Sequence, residues 1–172
     1  MKVKIKKGVA SGYVDAPPSK SMAHRMLICA GLSSGNSIVR GVAESEDILA
    51  TLDCLKSLGA KCEKEGESIK VTGINFENVE TGTLLKCRES GSTLRFFIPL
   101  ALCLGKSVIL HGSRRLLERP LDVYENLCRE YGFDFSKDEE SVTLCGKLSS
   151  GNYKIRGDIS SQFITGMILA LI

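Results

Sequence analysis

Three short stretches carry the residue types that bind small anions. Pro18-Ser19-Lys20-Ser21, Glu89-Ser90-Gly91-Ser92-Thr93 and Ile159-Ser160-Ser161-Gln162 each set small residues and hydroxyls ahead of an apolar run. If each run is a helix, its start offers unpaired N–H groups and about half a positive charge, and hydroxyls there donate to phosphate or carboxylate oxygens. Lys20 adds a mobile ammonium and Arg25 a guanidinium five residues on, a placement that Arg95 repeats in the second stretch. Arginine suits such anions because its fork donates two parallel hydrogen bonds. Taken singly, each stretch is most often only a cap, since Ser and Thr cap helices everywhere. Three at one spacing weigh more, because threefold packing would bring them to one end of a domain.

The elements that must position these stretches are legible as a repeat. Shifted by 73 positions, Asp47–Gly73 falls on Pro120–Gly146 without a gap, with Gly59 on Gly132 and Ser68 on Ser141; shifted by 70, Arg25 falls on Arg95 and Ile38 on Val108. Each copy predicts a helix (Lys20–Leu32, Gly91–Leu104) and a strand (Ser37–Val42, Ser107–His111). A second, amphipathic helix follows (Asp47–Leu58, Leu121–Tyr131), stopped by Gly59 or Gly132. Then come a hairpin (Ala60–Gly66 with Ser68–Thr72, Phe133–Ser136 with Ser141–Cys145) and a closing strand (Thr83–Cys87, Tyr153–Arg156). A third helix of the first type begins at Ser160-Ser161-Gln162, and the chain stops at Ile172 inside its apolar body, without a cap. The expectation is therefore a piece of a longer protein.

Other candidates weigh less. Arg119-Pro120 reads as a helix entry with Pro at the first position, and Arg114 and Arg115 read as a solvated loop. His24 and His111 have no partner at metal spacing. The seven cysteines form no Cys-x-x-Cys pair and mostly sit among apolar neighbours, which suits free thiols in a reducing, cytoplasmic setting. Lys and Arg exceed Asp and Glu by 23 to 20 and Trp is absent, which argues against a nucleic-acid face. The first ten residues alternate Lys with Val and Ile like a strand, and no apolar run reaches the ~18 residues of a membrane span. P-loop, dinucleotide and hydrolase-elbow motifs are absent.

Pro18-Ser19-Lys20-Ser21-Met22-Ala23-His24-Arg25, Glu89-Ser90-Gly91-Ser92-Thr93-Leu94-Arg95, Glu118-Arg119-Pro120-Leu121 and Ile159-Ser160-Ser161-Gln162-Phe163, in that order, resemble the amino-terminal part of the 5-enolpyruvylshikimate-3-phosphate synthase family, the 3-phosphoshikimate 1-carboxyvinyltransferases. Lys20-Ser21 separates it from the sister transferases acting on UDP-N-acetylglucosamine, which carry Lys-Asn there. The resemblance implies an α/β lobe of repeated βαβαββ units with pseudo-threefold symmetry. Residues 1–19 would be a first strand and hinge associated with another lobe, and residues 20–172 a substrate-binding lobe of units 20–89 and 90–159 plus the start of a third, 160–172. The implied reaction moves the enolpyruvyl group of phosphoenolpyruvate to the 5-hydroxyl of shikimate 3-phosphate and releases phosphate, in aromatic amino acid biosynthesis, with no metal or organic cofactor.

By position, the resemblance gives Ser21 and Arg25 to the shikimate carboxylate, Ser160 and Ser161 to its phosphate, and Gln162 to its ring and to phosphoenolpyruvate. Lys20, the catalytic candidate, would touch both substrates, while the Gly91 N–H and Arg119 would bind the phosphoenolpyruvate phosphate. Many relatives have Asn-Ala-Gly-Thr where this chain has Glu89-Ser90-Gly91-Ser92, so Glu89 should repel anions unless Arg88 or Arg95 neutralises it. Acid-base groups of that family come from the second lobe, so these 172 residues alone are expected to be inactive. The full enzyme is expected to be a monomer and this piece to self-associate through uncovered apolar surface. A non-catalytic anion-binding module, or a transferase for another alcohol, is the alternative.

Overall fold

The computed structural model describes residues 3–4, 7–9 and 11–172. The order is α1 (Lys20–Leu32), β1 (Asn36–Val39), α2 (Glu46–Ser57), β2 (Lys61–Glu65), β3 (Ser68–Thr72), a 3-10 turn at Phe76–Asn78 and β4 (Thr83–Arg88). There follow α3 (Gly91–Cys103), β5 (Val108–Gly112), α4 (Arg114–Leu117), α5 (Asp122–Tyr131), β6 (Asp134–Lys137), β7 (Ser141–Cys145) and α6 (Ser161–Leu171). Glu46 and Asp47 in the first turn of α2 and Lys56 in its last both suit the helix dipole. Gly132 caps α5 at φ 73°, a left-handed turn that glycine enters without a Cβ clash.

Two sheets result, ordered β1-β3-β2 and β4-β5-β7-β6. Every pair is antiparallel except β4 with β5. The strand that closes the first repeat in sequence thus hydrogen-bonds into the second repeat's sheet. Val39 faces Ile69 and Leu110 faces Val142, so β1 maps onto β5 at a shift of 71. The shift of 70 that pairs Ile38 with Val108 is one residue off, and one residue reverses every side chain. In agreement, Val39 and Leu110 are buried while Ile38 is 56% exposed.

The core centres on α3, whose Phe96 to Leu102 are all buried, as a helix apolar on all sides requires. Pro99 lacks an N–H, which frees the carbonyl of Arg95 four residues earlier. The Tyr124 hydroxyl, brought by α5, donates to that carbonyl at 2.8 Å and lies 3.1 Å from the Phe163 carbonyl of α6. Gly166 of α6 packs over the same spot, where a Cβ would come 2.5 Å from the Tyr124 oxygen and 2.7 Å from the Arg95 carbonyl. One polar contact therefore registers three helices.

Several expectations are corrected. Residues Tyr153–Arg156 form no strand; β4 gains its ladder from the strand following the next helix, and no strand follows α6 in this chain. Pro120 is not the first helical residue, because Leu121 is anchored in the core with φ −127° and α5 starts at Asp122. Arg114 and Arg115 lie in the short helix α4, capped by Ser113, rather than in a loop. The expected N-terminal strand falls partly on residues 1, 2, 5, 6 and 10, outside the described residues, and residues 3–4 and 7–9 are unpaired.

Candidate functional site

Each of the three helix starts is capped by its own serine. Ser19 Oγ accepts from the Met22 N–H at 3.3 Å, Ser90 Oγ from the Thr93 N–H at 3.2 Å and Ser160 Oγ from the Gln162 N–H at 3.3 Å. The capping reading is therefore correct, and it leaves each hydroxyl proton free for another acceptor. Arg25 stands six residues beyond its cap and Arg95 five beyond its own. Arg95 thus does not repeat the placement of Arg25 but sits about 100° around the helix from it. Phe96 holds the equivalent place, and the Arg25 guanidinium lies 5.5 Å above its ring.

Side chains nevertheless tie the three starts together. Lys20 Nζ donates to Asp47 Oδ2 at 2.5 Å, joining α1 to α2. Arg25 Nη1 donates to the Ser21 carbonyl at 2.7 Å and to the Ser21 hydroxyl, and Nη2 reaches Thr165 Oγ1 of α6 at 3.4 Å. Gln162 spans the gap between α6 and α3: its Nε2 donates to Ser92 Oγ at 2.7 Å and its Oε1 accepts from Arg95 Nη1 at 2.8 Å. Arg119 Nη1 lies 2.6 Å from where a Cβ on Gly91 would stand, so its guanidinium covers the bare backbone there. Ser161 is exposed at the first helical position, and its carbonyl accepts from Thr165.

The charge at these starts is mostly uncompensated. Among the described residues the carboxylate ion pairs include Lys20 but not Arg25, Arg95 or Arg119. Burial lowers the Arg95 pKa, and the neighbouring Arg119 cation lowers it further, as expected where two guanidiniums share a site. Burial raises the Asp47 carboxyl, but hydrogen bonds from Lys20 and Ser90 outweigh it and hold the group below its ordinary value. Arg88 is taken by Glu46 and Asp53, both at 2.7 Å, and Arg95 by Gln162, so neither neutralises Glu89, which stays exposed. No cluster of three His, Cys, Asp or Glu among the described residues could hold a metal ion, and all seven cysteines are free thiols.

Sequence reasoning missed Asp47 and Thr51, and it placed Ser92 and Thr93 only among the hydroxyls of the second helix start. Asp47 reads only as the first residue of the second predicted helix, and no local pattern pairs it with Lys20, 27 residues away. Thr51 and Thr93 did carry a signal, as polar residues on otherwise apolar helix faces.

Helices of one kind, capped alike and tied at their starts over two sheets, the second of which takes in the strand that closes the first repeat, define an α/β lobe with internal repeats. The chain belongs to the EPSP synthase (3-phosphoshikimate 1-carboxyvinyltransferase) family, whose family model matches residues 5–172. It is 46% identical over 162 residues to a 3-phosphoshikimate 1-carboxyvinyltransferase of Clostridium kluyveri, covering 93% of this chain and 38% of that protein. To the Clostridium perfringens SM101 protein of the same name it is 41% identical over 172 residues, 99% of this chain and 41% of that one. The fold matches a solved EPSP synthase of Acinetobacter baumannii with TM-score 0.76 at 22% identity, over 92% of this chain and 37% of the other. The chain thus spans about 40% of the length of the curated relatives it matches.

Proposed function

We propose that this chain is the substrate-binding part of a cytoplasmic enzyme that transfers the enolpyruvyl group of phosphoenolpyruvate to the 5-hydroxyl of shikimate 3-phosphate, releasing phosphate in aromatic amino acid biosynthesis. Two anionic substrates need unpaired cations, and the three guanidiniums without carboxylate partners at linked helix starts are the observation that carries the reading. In it, Ser21 and Arg25 hold the shikimate carboxylate, and Ser160 and Ser161 give their free protons to its phosphate. Gln162 lies against the ring and reaches phosphoenolpyruvate. Arg119 and the Gly91 N–H take the phosphoenolpyruvate phosphate where no Cβ intrudes. Lys20, already desolvating one face against Asp47, turns its remaining protons to both substrates. The 5-hydroxyl oxygen bonds to the central carbon of phosphoenolpyruvate as the methylene gains a proton, and loss of a proton and of phosphate restores the double bond.

Calorimetry with shikimate 3-phosphate tests this most directly. Lys20→Ala or Arg25→Ala in the intact protein is expected to lower activity at least a hundredfold with the melting temperature nearly unchanged, each having lost a charged contact to substrate. Unchanged activity in both variants would return the serine-rich starts to the role of caps alone, and binding of a different alcohol would redirect the substrate assignment.

A further inference from the structure

Four polar side chains are buried among the described residues, His24, Thr51, Ser90 and Thr93, and they form one line behind the site. His24 Nδ1 lies 2.7 Å from Thr51 Oγ1, Thr51 Oγ1 2.9 Å from Thr93 Oγ1, and Thr93 Oγ1 2.8 Å from Ser90 Oγ and 3.4 Å from the Asp47 carbonyl. His24 Nε2 is the buried polar side-chain atom without a partner.

Each hydroxyl has a single proton, so the line runs one way. The Asp47 carbonyl can only accept, and the Thr93 proton points to that carbonyl at 3.4 Å and to the Ser90 hydroxyl at 2.8 Å. Thr51 must then donate to Thr93, and the Nδ1–H of His24 to Thr51. The opposite direction would bury an N–H at Nε2 with nothing to receive it, whereas this one leaves only a bare ring nitrogen, and orphaned donors are the rarer kind.

We infer that His24, Thr51 and Thr93 are positioning residues, a one-way donor line that starts at His24 Nδ1–H, ends on Asp47 and thereby fixes the carboxylate that orients Lys20. The carboxylate joins α2 to Lys20 at 2.5 Å, so a tilt of the line moves the ammonium. The effect on substrate rests on the reading that Lys20 touches it; the direction of the line does not.

Nitrogen-15 NMR at neutral pH, with His111→Gln leaving one of the two histidines, reads the tautomer of His24. A proton on Nδ1 is expected; a proton on Nε2 overturns the proposal, and this readout needs no variant in the line. Thr51→Val removes the hydroxyl at nearly equal volume. It is expected to mix the His24 tautomers, to make the Asp47 carboxyl titrate higher and to weaken shikimate 3-phosphate binding about tenfold, with Thr51→Ser restoring all three to within about twofold. A folded Thr51→Val chain with unchanged Asp47 titration and unchanged affinity overturns the positioning role. If the unaltered chain binds no shikimate 3-phosphate, the functional reading falls, while the tautomer and the Asp47 titration still decide the line.

Discussion

At Gly91 the absence of a side chain serves the site rather than the backbone. A Cβ would meet only the tip of the Arg119 side chain at 2.6 Å, which can swing aside, so Gly91→Ala should leave the urea midpoint nearly unchanged. The displaced guanidinium should instead raise KM for phosphoenolpyruvate about tenfold or more in steady-state assays of the intact protein, with kcat less affected. His24 is constrained by burial, which lowers its pKa from the ordinary 6.5; Asp47 opposes the shift, and Lys20 and Arg25 add to it. The unfolded chain therefore binds a proton that the folded one refuses, and stability falls as pH drops from about 6.5 through the lowered value. Asp47 acts in the same direction but only below its ordinary 3.8. Urea midpoints between pH 7.5 and 5 should decline, and His24→Asn should flatten the decline; an equal slope in that variant would assign the loss elsewhere.

Among the elements, α6 shows how one polar contact sets the placement of a helix. Tyr124→Phe removes the donor that satisfies the Arg95 carbonyl freed by Pro99, which should cost about 1–3 kcal/mol by chemical denaturation. Gly166→Ala should cost at least as much, because two of the atoms its Cβ would strike, the Arg95 carbonyl and the Pro99 ring, belong to the neighbouring helix rather than to a flexible tip. Both changes should also loosen Gln162, since α6 carries it to Ser92 and Arg95. Arg88 makes a similar point at the start of α3. It takes a left-handed φ of 53°, unusual for a residue with a side chain, and ion pairs to Glu46 and Asp53 hold it where the chain turns into the helix.

For the whole molecule, α6 leaves an apolar stripe in solvent, with Ile164, Ile168 and Leu171 41%, 56% and 41% exposed. This chain should self-associate through it, and Ile168→Lys should shift the mass seen by size-exclusion light scattering toward the monomer; an unaltered mass would place the contact on another surface. Much of this architecture was readable from residue order. Repeats, hydrophobic periods, serine caps and stopping glycines are local or self-similar signals, so helix starts at Lys20 and Gly91 and the β2–β3 and β6–β7 hairpins follow from short-range rules. Strand exchange between repeats, the one-residue slip of β1 on β5, and the missing strand at residues 153–156 were not readable, because ladder partners lie tens of residues away. The same holds for the site. Sequence alone determined which residues could hold anions; tertiary structure decided that Arg119 covers Gly91, that Gln162 bridges two helices, and that Asp47 and a buried line of hydroxyls stand behind Lys20. Hydrogen bonds have a direction and a reach of a few ångströms, and only the packed chain brings such distant partners within it.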